Sequence, residues 1–249
     1  MNFVFDLDGT ICFDGLTISE EISSALQELV EQGHQLHFAS ARPIRDILPV
    51  LPPALQSCNM VGANGALVSK GREILSVQSF DDIERDLLIS CLRTYQTTYM
   101  ADSIWDYSFT DEESHPLFPL VDVDKTTENM PISRLDPLVK VLILSTTNIY
   151  ELQEFLDVLD VSLTQHQGSN AIDVSPKGVN KWSGLKKFEL PPKSFVAFGN
   201  DLNDRLFLQN AQQAVLIGSH PELLPQFTDS IPLVGDYKKA ISEKIRSFL

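Results

Sequence analysis

Two short stretches at opposite ends of the chain, FVF at residues 3–5 and FVAF at residues 195–198, are apolar without alternation. Each runs straight into polar residues, Asp6, Asp8 and Gly9 after the first and Asn200 and Asp201 after the second. Successive side chains of a strand point to opposite faces, so a strand apolar at every position is covered on both sides. That fits strands of a mostly parallel sheet with helices packed above and below.

The segments between follow the same plan. Ile22, Ala25, Leu26, Leu29 and Val30 recur at helical spacing, with Ser19 as a candidate N-cap and Gly33 as a stop, so residues 16–33 read as a helix. HQLHFAS reads as a strand, Pro43 suits the first turn of the next helix, and SCNMVG and ANGALVS read as strands meeting at a turn. Towards the end, SFVAFG, AVLIG and DSIPL are strand candidates, NDRLFLQNA is a helix and GDYKKAISEKIRSFL a last amphipathic one. This alternation predicts an α/β fold built on a Rossmann-like, doubly wound parallel sheet. From about residue 80 to residue 170 the polar and aromatic segments lengthen, and helical patterns in DDIERDLLISCLRTY and IYELQEFLDVL flank the strand candidate VKVLILS. We read residues 1–80 and 171–249 as the core domain and residues 81–170 as an inserted α+β domain, with DVDKTTENMP an exposed loop.

Composition narrows the partners. The chain has 249 residues, 43% of them hydrophobic, enough for a sizeable core, and 19 basic against 34 acidic side chains give a net charge of -15. Such a charge opposes attraction to nucleic acid or anionic membrane, leaving small ligands and metal cations as the expected partners. Cys12, Cys58 and Cys91 are odd in number, widely spaced and without a CxxC pair, so neither a disulfide framework nor a zinc site is expected and a reducing cytoplasm fits best. With five residues before Asp6 no leader is expected, and no apolar run approaches spanning length.

In FDLDGT, Asp6 and Asp8 are two apart and share one face as the chain leaves the sheet, and Gly9 lets the backbone turn. A plain Asp-Gly turn is the alternative. A calcium loop is disfavoured, since its glycine and glutamate places hold Ile11 and Thr17. The same construction recurs where HQLHFAS ends at Ser40 and where SFVAFG is followed by Asn200, Asp201 and Asp204. Ligands of open parallel sheets bind beyond the carboxyl ends of the strands, so the three clusters are expected to converge. Crowded carboxylates need a hard cation among them, and oxygen-only ligation is the habit of magnesium. The P-loop, GxGxxG, HExxH and GxSxG patterns are all missing from the sequence.

FDLDGT, SAR, the Lys181 segment and GNDLND, in this order, resemble the motifs of the haloacid dehalogenase superfamily, most closely its Cof-like sugar-phosphatase branch with a large cap between the second and third motifs. The resemblance implies that Asp6 is the nucleophile, that Asp8 protonates the leaving oxygen and then activates water, and that Ser40 hydrogen-bonds the phosphoryl group. In SAR, Ala41 stands where TGR has glycine and Arg42 is retained. Lys181, just after a GVN step, is preferred for the phosphate lysine, with Lys177 the alternative. GNDLND carries Asn200 where GDxxND has aspartate. The implied metal set is Asp6, Asp8, Asn200, Asp201 and Asp204 around Mg2+, with Asp204 alternatively holding Lys181 and Asn203 touching substrate. Asn64 and Gly65 form a turn that in Cof-like relatives faces the site opening, although an NG pair is first a hairpin signal.

The function implied is a Mg2+-dependent phosphatase for a small phosphorylated metabolite, a sugar phosphate, working as monomer or homodimer. The alternatives are a phosphosugar mutase and a catalytically weak phosphoester-binding protein, which Asn200 favours. His34 and His37, read as one strand, point to opposite faces and do not share a metal. His115 and His166 belong to the insertion, and Tyr99, Trp105, Tyr107 and Phe109 read mainly as its packing.

Overall fold

Phe3, Val4 and Phe5 are each 0% exposed, and their side chains divide between two cores. In the computed structural model, which describes residues 1–111, 115–165 and 171–249, Phe3 and Phe5 pack with Ile22, Leu26 and Ile241, while Val4 packs with Leu185, Phe195 and Phe207. The strand that carries them, β1 (Asn2–Phe5), lies between β11 (Phe195–Gly199) and β2 (Gln35–Ala39), parallel to both. The sheet has eight strands in the order β13-β12-β11-β1-β2-β3-β4-β5. β12 (Gln213–Ile217), β13 (Ser230–Ile231) and β3 (Asn59–Gly62) continue the parallel pairing. β4 (Leu67–Lys70) and β5 (Glu73–Val77) turn back antiparallel at the edge. Chain order reverses on the two sides of β1, which opens a crevice at its carboxyl end.

Helices cover both faces. α1 (Glu20–Glu31) and α7 (Tyr237–Arg246) pair on one side, tied by Arg246 to Glu28 at 2.8 Å; α5 (Lys181–Leu185) and α6 (Arg205–Asn210) lie on the other. α1 starts later than its periodicity suggests, because the Asp14 carboxylate takes the amides of Leu16 and Thr17 into a turn of their own. Ser19 sits at the N-cap position without capping. Pro43 likewise stands at the N-cap of the short α2 (Ile44–Ile47), not in its first turn. The NG pair does join a hairpin: Asn64 adopts φ 56° between β3 and β4, and a Cβ on Gly65 would overlap the Asn180 carbonyl oxygen.

A second, antiparallel sheet of five strands has the order β7-β6-β8-β10-β9, from β6 (Thr98–Asp102), β7 (Tyr107–Phe109), β8 (Lys140–Ser145), β9 (Val161–Gln165) and β10 (Ile172–Pro176). Helices α3 (Asp82–Thr94), closed by an Asp81–Glu84 capping box, and α4 (Ile149–Val158) bury Leu88, Leu92, Leu152 and Leu156 against one face. The α/β core with its inserted α+β domain is thus present, but β10, in the segment read as core from residue 171, pairs with β8 and β9 of the second sheet. Tyr107 and Phe109 pack in the insertion, whereas Trp105 packs against the main core. His37 lies buried in β2, and His34 precedes the strand with Nδ1 2.9 Å from the Met1 amino group. His166 and residues 112–114 lie outside the described residues. Among the described residues, no helix is long and apolar enough to cross a membrane.

Candidate active site

The site begins where β1 stops. The Asp6 amide donates to Phe198 O on the neighbouring strand at 3.0 Å, which aims the side chain into the crevice, where it is 3% exposed. Lys181, at the start of α5 behind its Asn180 cap, reaches the same point. Its ammonium donates to Asp6 Oδ1 at 2.6 Å, Asp204 Oδ1 at 2.7 Å and Asn203 Oδ1 at 3.2 Å, using all three protons. Asp204 Oδ2 in turn accepts the amides of Asn200 at 2.8 Å and Asp201 at 3.1 Å, so this carboxylate shapes the loop after β11 and anchors the lysine.

Two carboxylates share one ammonium in this buried cluster. Burial, and then the charge of Asp204, push the Asp6 carboxyl up to about 7 against the pull of Lys181. Burial also works against the Lys181 charge, but Asp204 and Asp6 outweigh it and hold the ammonium above the usual lysine range. The other Asp6 oxygen accepts from Thr10 Oγ1 at 2.8 Å, and Asn200 Oδ1 lies 3.1 Å from that hydroxyl, which has a single proton for the two acceptors. Gly9 makes this approach possible: its φ is +79°, and a Cβ there would overlap Asn200 Nδ2.

Excess buried negative charge beside converging oxygen acceptors suits a hard divalent cation of the Mg2+ type, which Asp6 and the Asn200 amide oxygen would hold. Among the described residues no three His, Cys, Asp or Glu side chains form a metal-holding group, so such an ion would depend on the amide and on water. The other carboxylates of the expected set are engaged elsewhere. Asp8 accepts from Arg42 Nε at 2.8 Å and Nη2 at 2.6 Å, and Asp201 accepts from the Leu202 amide at 2.7 Å. Lys177 is instead engaged in an exposed pair with Asp160 at 2.7 Å.

Ser40 is buried at the end of β2, where its hydroxyl accepts from the Arg42 amide at 3.1 Å. The guanidinium contacts both Asp8 oxygens, so a turn of Arg42 away from Asp8 would release them toward the crevice. A polar chain then runs outward from Lys181. Asn203 Nδ2 lies 3.4 Å from Asn64 Oδ1, Asn64 donates to Asp173 Oδ2 at 3.0 Å, Asp173 Oδ1 meets Lys140 Nζ at 2.9 Å, and Lys140 donates to Ala41 O at 2.9 Å. Thr10, Lys140 and Asp173 are the participants that sequence reasoning missed. The one signal for Lys140 was a lone charge inside the apolar run VKVLILS.

Asp8, Arg42, Lys140 and Asp173 border a cavity of about 400 Å3 between the two domains. A larger hollow of about 530 Å3, around Lys193, Gln209, Gln226 and Asp229, contains none of the residues gathered at Asp6.

Residues 3–233 match the family model for haloacid dehalogenase-like hydrolases. An HMP-PP phosphatase of Yersinia enterocolitica is 26% identical over 249 residues, covering 92% of this chain and 86% of that protein. The 5-amino-6-(5-phospho-D-ribitylamino)uracil phosphatase of Bacillus subtilis is 24% identical over 243 residues, covering 90% and 88%. Among solved structures, the sugar phosphatase BT4131, of subclass IIB of the same superfamily, superposes with a TM-score of 0.78 at 18% identity, covering 99% of this chain and 98% of that one.

Proposed function

The chain belongs to the haloacid dehalogenase-like hydrolases, in their Cof-like branch, and from that premise we propose that it is a phosphoric monoester hydrolase working through an aspartyl-phosphate at Asp6. The observation that carries this reading is the buried Asp6 carboxylate, fixed by Lys181 at 2.6 Å and by Thr10 at 2.8 Å at the carboxyl end of a central strand, with Asp8 two residues on beside the cavity. Asp6 attacks phosphorus, the ester P–O bond breaks, and Asp8, freed from Arg42, gives the departing oxygen its proton. Asp8 then takes a proton from the water that cleaves the acyl phosphate, releasing inorganic phosphate and restoring Asp6. Lys181 offsets negative charge on the transferring group, Ser40 offers its hydroxyl, and the inserted domain covers the leaving group against water. A Mg2+ ion held by Asp6 and Asn200 would neutralise the phosphate as it approaches.

The substrate class is a small phosphorylated metabolite; the relatives' names carry a sugar in one case and a uracil in another. A reducing cytoplasm suits the three free cysteines. Mg2+-dependent hydrolysis of 4-nitrophenyl phosphate that falls at least about a thousandfold in Asp6→Asn is the expected result, with a phosphoryl group trapped on the Asp6 peptide by acid quench. Full turnover in Asp6→Asn overturns the mechanism. The neutral Asn200 beside Thr10 favours one second reading, a phosphoester-binding protein of weak activity, and tight binding of esters without turnover would establish it.

A further inference from the structure

We propose that Arg45 is a positioning residue that keeps the inserted domain seated over the crevice, and that phosphate esters reach Asp6 through the mouth beside Asp8 without the two domains parting. This rests on the phosphomonoesterase reading above and adds to it the path of the substrate.

The chain crosses between the domains at residues 78–81 and 177–180, and Arg45 makes a further tie that belongs to neither crossing. Arg45 lies in α2 of the core domain, and its buried side chain reaches across to the β6–β7 hairpin of the insertion. Nη2 donates to Asp102 Oδ1 at 3.0 Å, Nη1 donates to Trp105 O at 2.7 Å, and the guanidinium carbon lies 4.8 Å from the centre of the Tyr107 ring. Nε and Nη2 also hold Asp46, at 2.9 Å and 2.7 Å. Asp46 Oδ1 in turn accepts the Asp122 amide, from another loop of the insertion, at 2.8 Å. Asp46 and Asp102 are both buried, so the whole cluster is shielded from water.

Parting the domains would break these contacts together. Ile104 and Trp105 in the hairpin turn, and Val139 just before β8, pack into the main core, so separation would also return their apolar surface to water. A single hydrogen bond competes with solvent and holds little; charge-assisted bonds that converge on one buried guanidinium have to be given up as a set. The seated arrangement still leaves an entrance. The Asp8 side chain is 47% exposed and Asp14 is exposed, and both border the cavity of about 400 Å3, so a small ester can enter with the insertion in place. Once inside, the ester itself fills the mouth.

Two measurements test this. The Asp122 amide bonds across the domain boundary, so its hydrogen exchange in the ligand-free protein, followed by NMR, reads how often the domains part. Protection of about a thousandfold or more is expected, where a domain that swings, with an open state populated at roughly 0.1–10%, would give less. Lower protection overturns the inference. In the second measurement, with 4-nitrophenyl phosphate and Mg2+, Arg45→Met is expected to raise KM about fivefold or more with kcat within about twofold, because the ester must then select the seated position. Asp102→Asn keeps an oxygen for the guanidinium and is expected to hold KM within about twofold of wild type. A KM that Arg45→Met leaves unchanged, a kcat that falls in step with it, or an equal defect in Asp102→Asn overturns the role given to Arg45. If Arg45→Met does not fold, exchange at Asp122 in the wild type decides alone. A wild type that does not hydrolyse the ester at all refutes the phosphatase reading, and the substrate path falls with it, while the exchange measurement still reads the seat of the domain.

Discussion

Replacing Asp6 by Asn is expected to abolish turnover and, in the absence of metal, to make the protein more stable. Asp6 is fully buried, and its carboxyl is pushed from 3.8 up to about 7 by burial and by Asp204. Between those values the folded chain keeps a proton that the unfolded chain has released, so stability falls as pH rises through that window. At 1.36 kcal/mol per unit the loss reaches about 4 kcal/mol above pH 7. Asparagine escapes it. Its Oδ1 can accept from Lys181, its Nδ2 can donate to Thr10 Oγ1, and the Thr10 proton is then free for Asn200, while Lys181 keeps Asp204 as a neutralising partner. Urea unfolding of both proteins in EDTA should show Asp6→Asn ahead of wild type, with the gap widening by about 3 kcal/mol from pH 5 to pH 8. Added Mg2+ should narrow the gap at pH 8 by stabilising wild type alone. A gap that does not change with pH, or a wild type that is the more stable at pH 8, would refute the electrostatic account of the site.

Two further outcomes test the frame around the site. His37 is buried and neutral between Asn2 Oδ1 and Asn59 Nδ2, each 3.3 Å away, and burial drops its pKa from 6.5 to about 4. The unfolded state therefore binds the extra proton first, and stability contributed by the neutral ring should be lost as pH falls from 6.5 towards 4, by up to about 3 kcal/mol, a slope that His37→Gln removes in urea titrations. Arg45, 3% exposed, donates to Asp46, to Asp102 Oδ1 at 3.0 Å and to Trp105 O at 2.7 Å, and lies over the Tyr107 ring. Arg45→Met strands the buried Asp46 and Asp102 carboxylates and should cost about 3–5 kcal/mol of unfolding free energy, and Arg45→Lys, lacking the fork, should not restore it.

The elements that lie near each other in sequence were readable from it. Unbroken apolar runs identified β1 and β11 as strands covered on both faces, and a glycine after two aspartates marked the turn on which Asn200 closes. Order along the chain also foretold that the ends of β1, β2 and β11 would meet, since parallel strands with crossover helices all deliver their carboxyl ends to one side. Pairing across long separations was not readable. A period of two says which face a residue takes and is silent on its neighbour, so Ile172–Pro176 could be recognised as a strand without revealing that it joins the second sheet. For the same reason the sequence placed Asp8, Asp201 and Asp204 in one implied metal set, with Lys181 only an alternative partner for Asp204, while the fold gave Asp8 to Arg42, Asp201 to a loop amide and Asp204 to Lys181. Chemistry-bearing residue types are written locally. Which charge each one faces is decided only when distant segments pack, because a buried ion takes whatever partner the closed structure brings within about 3 Å.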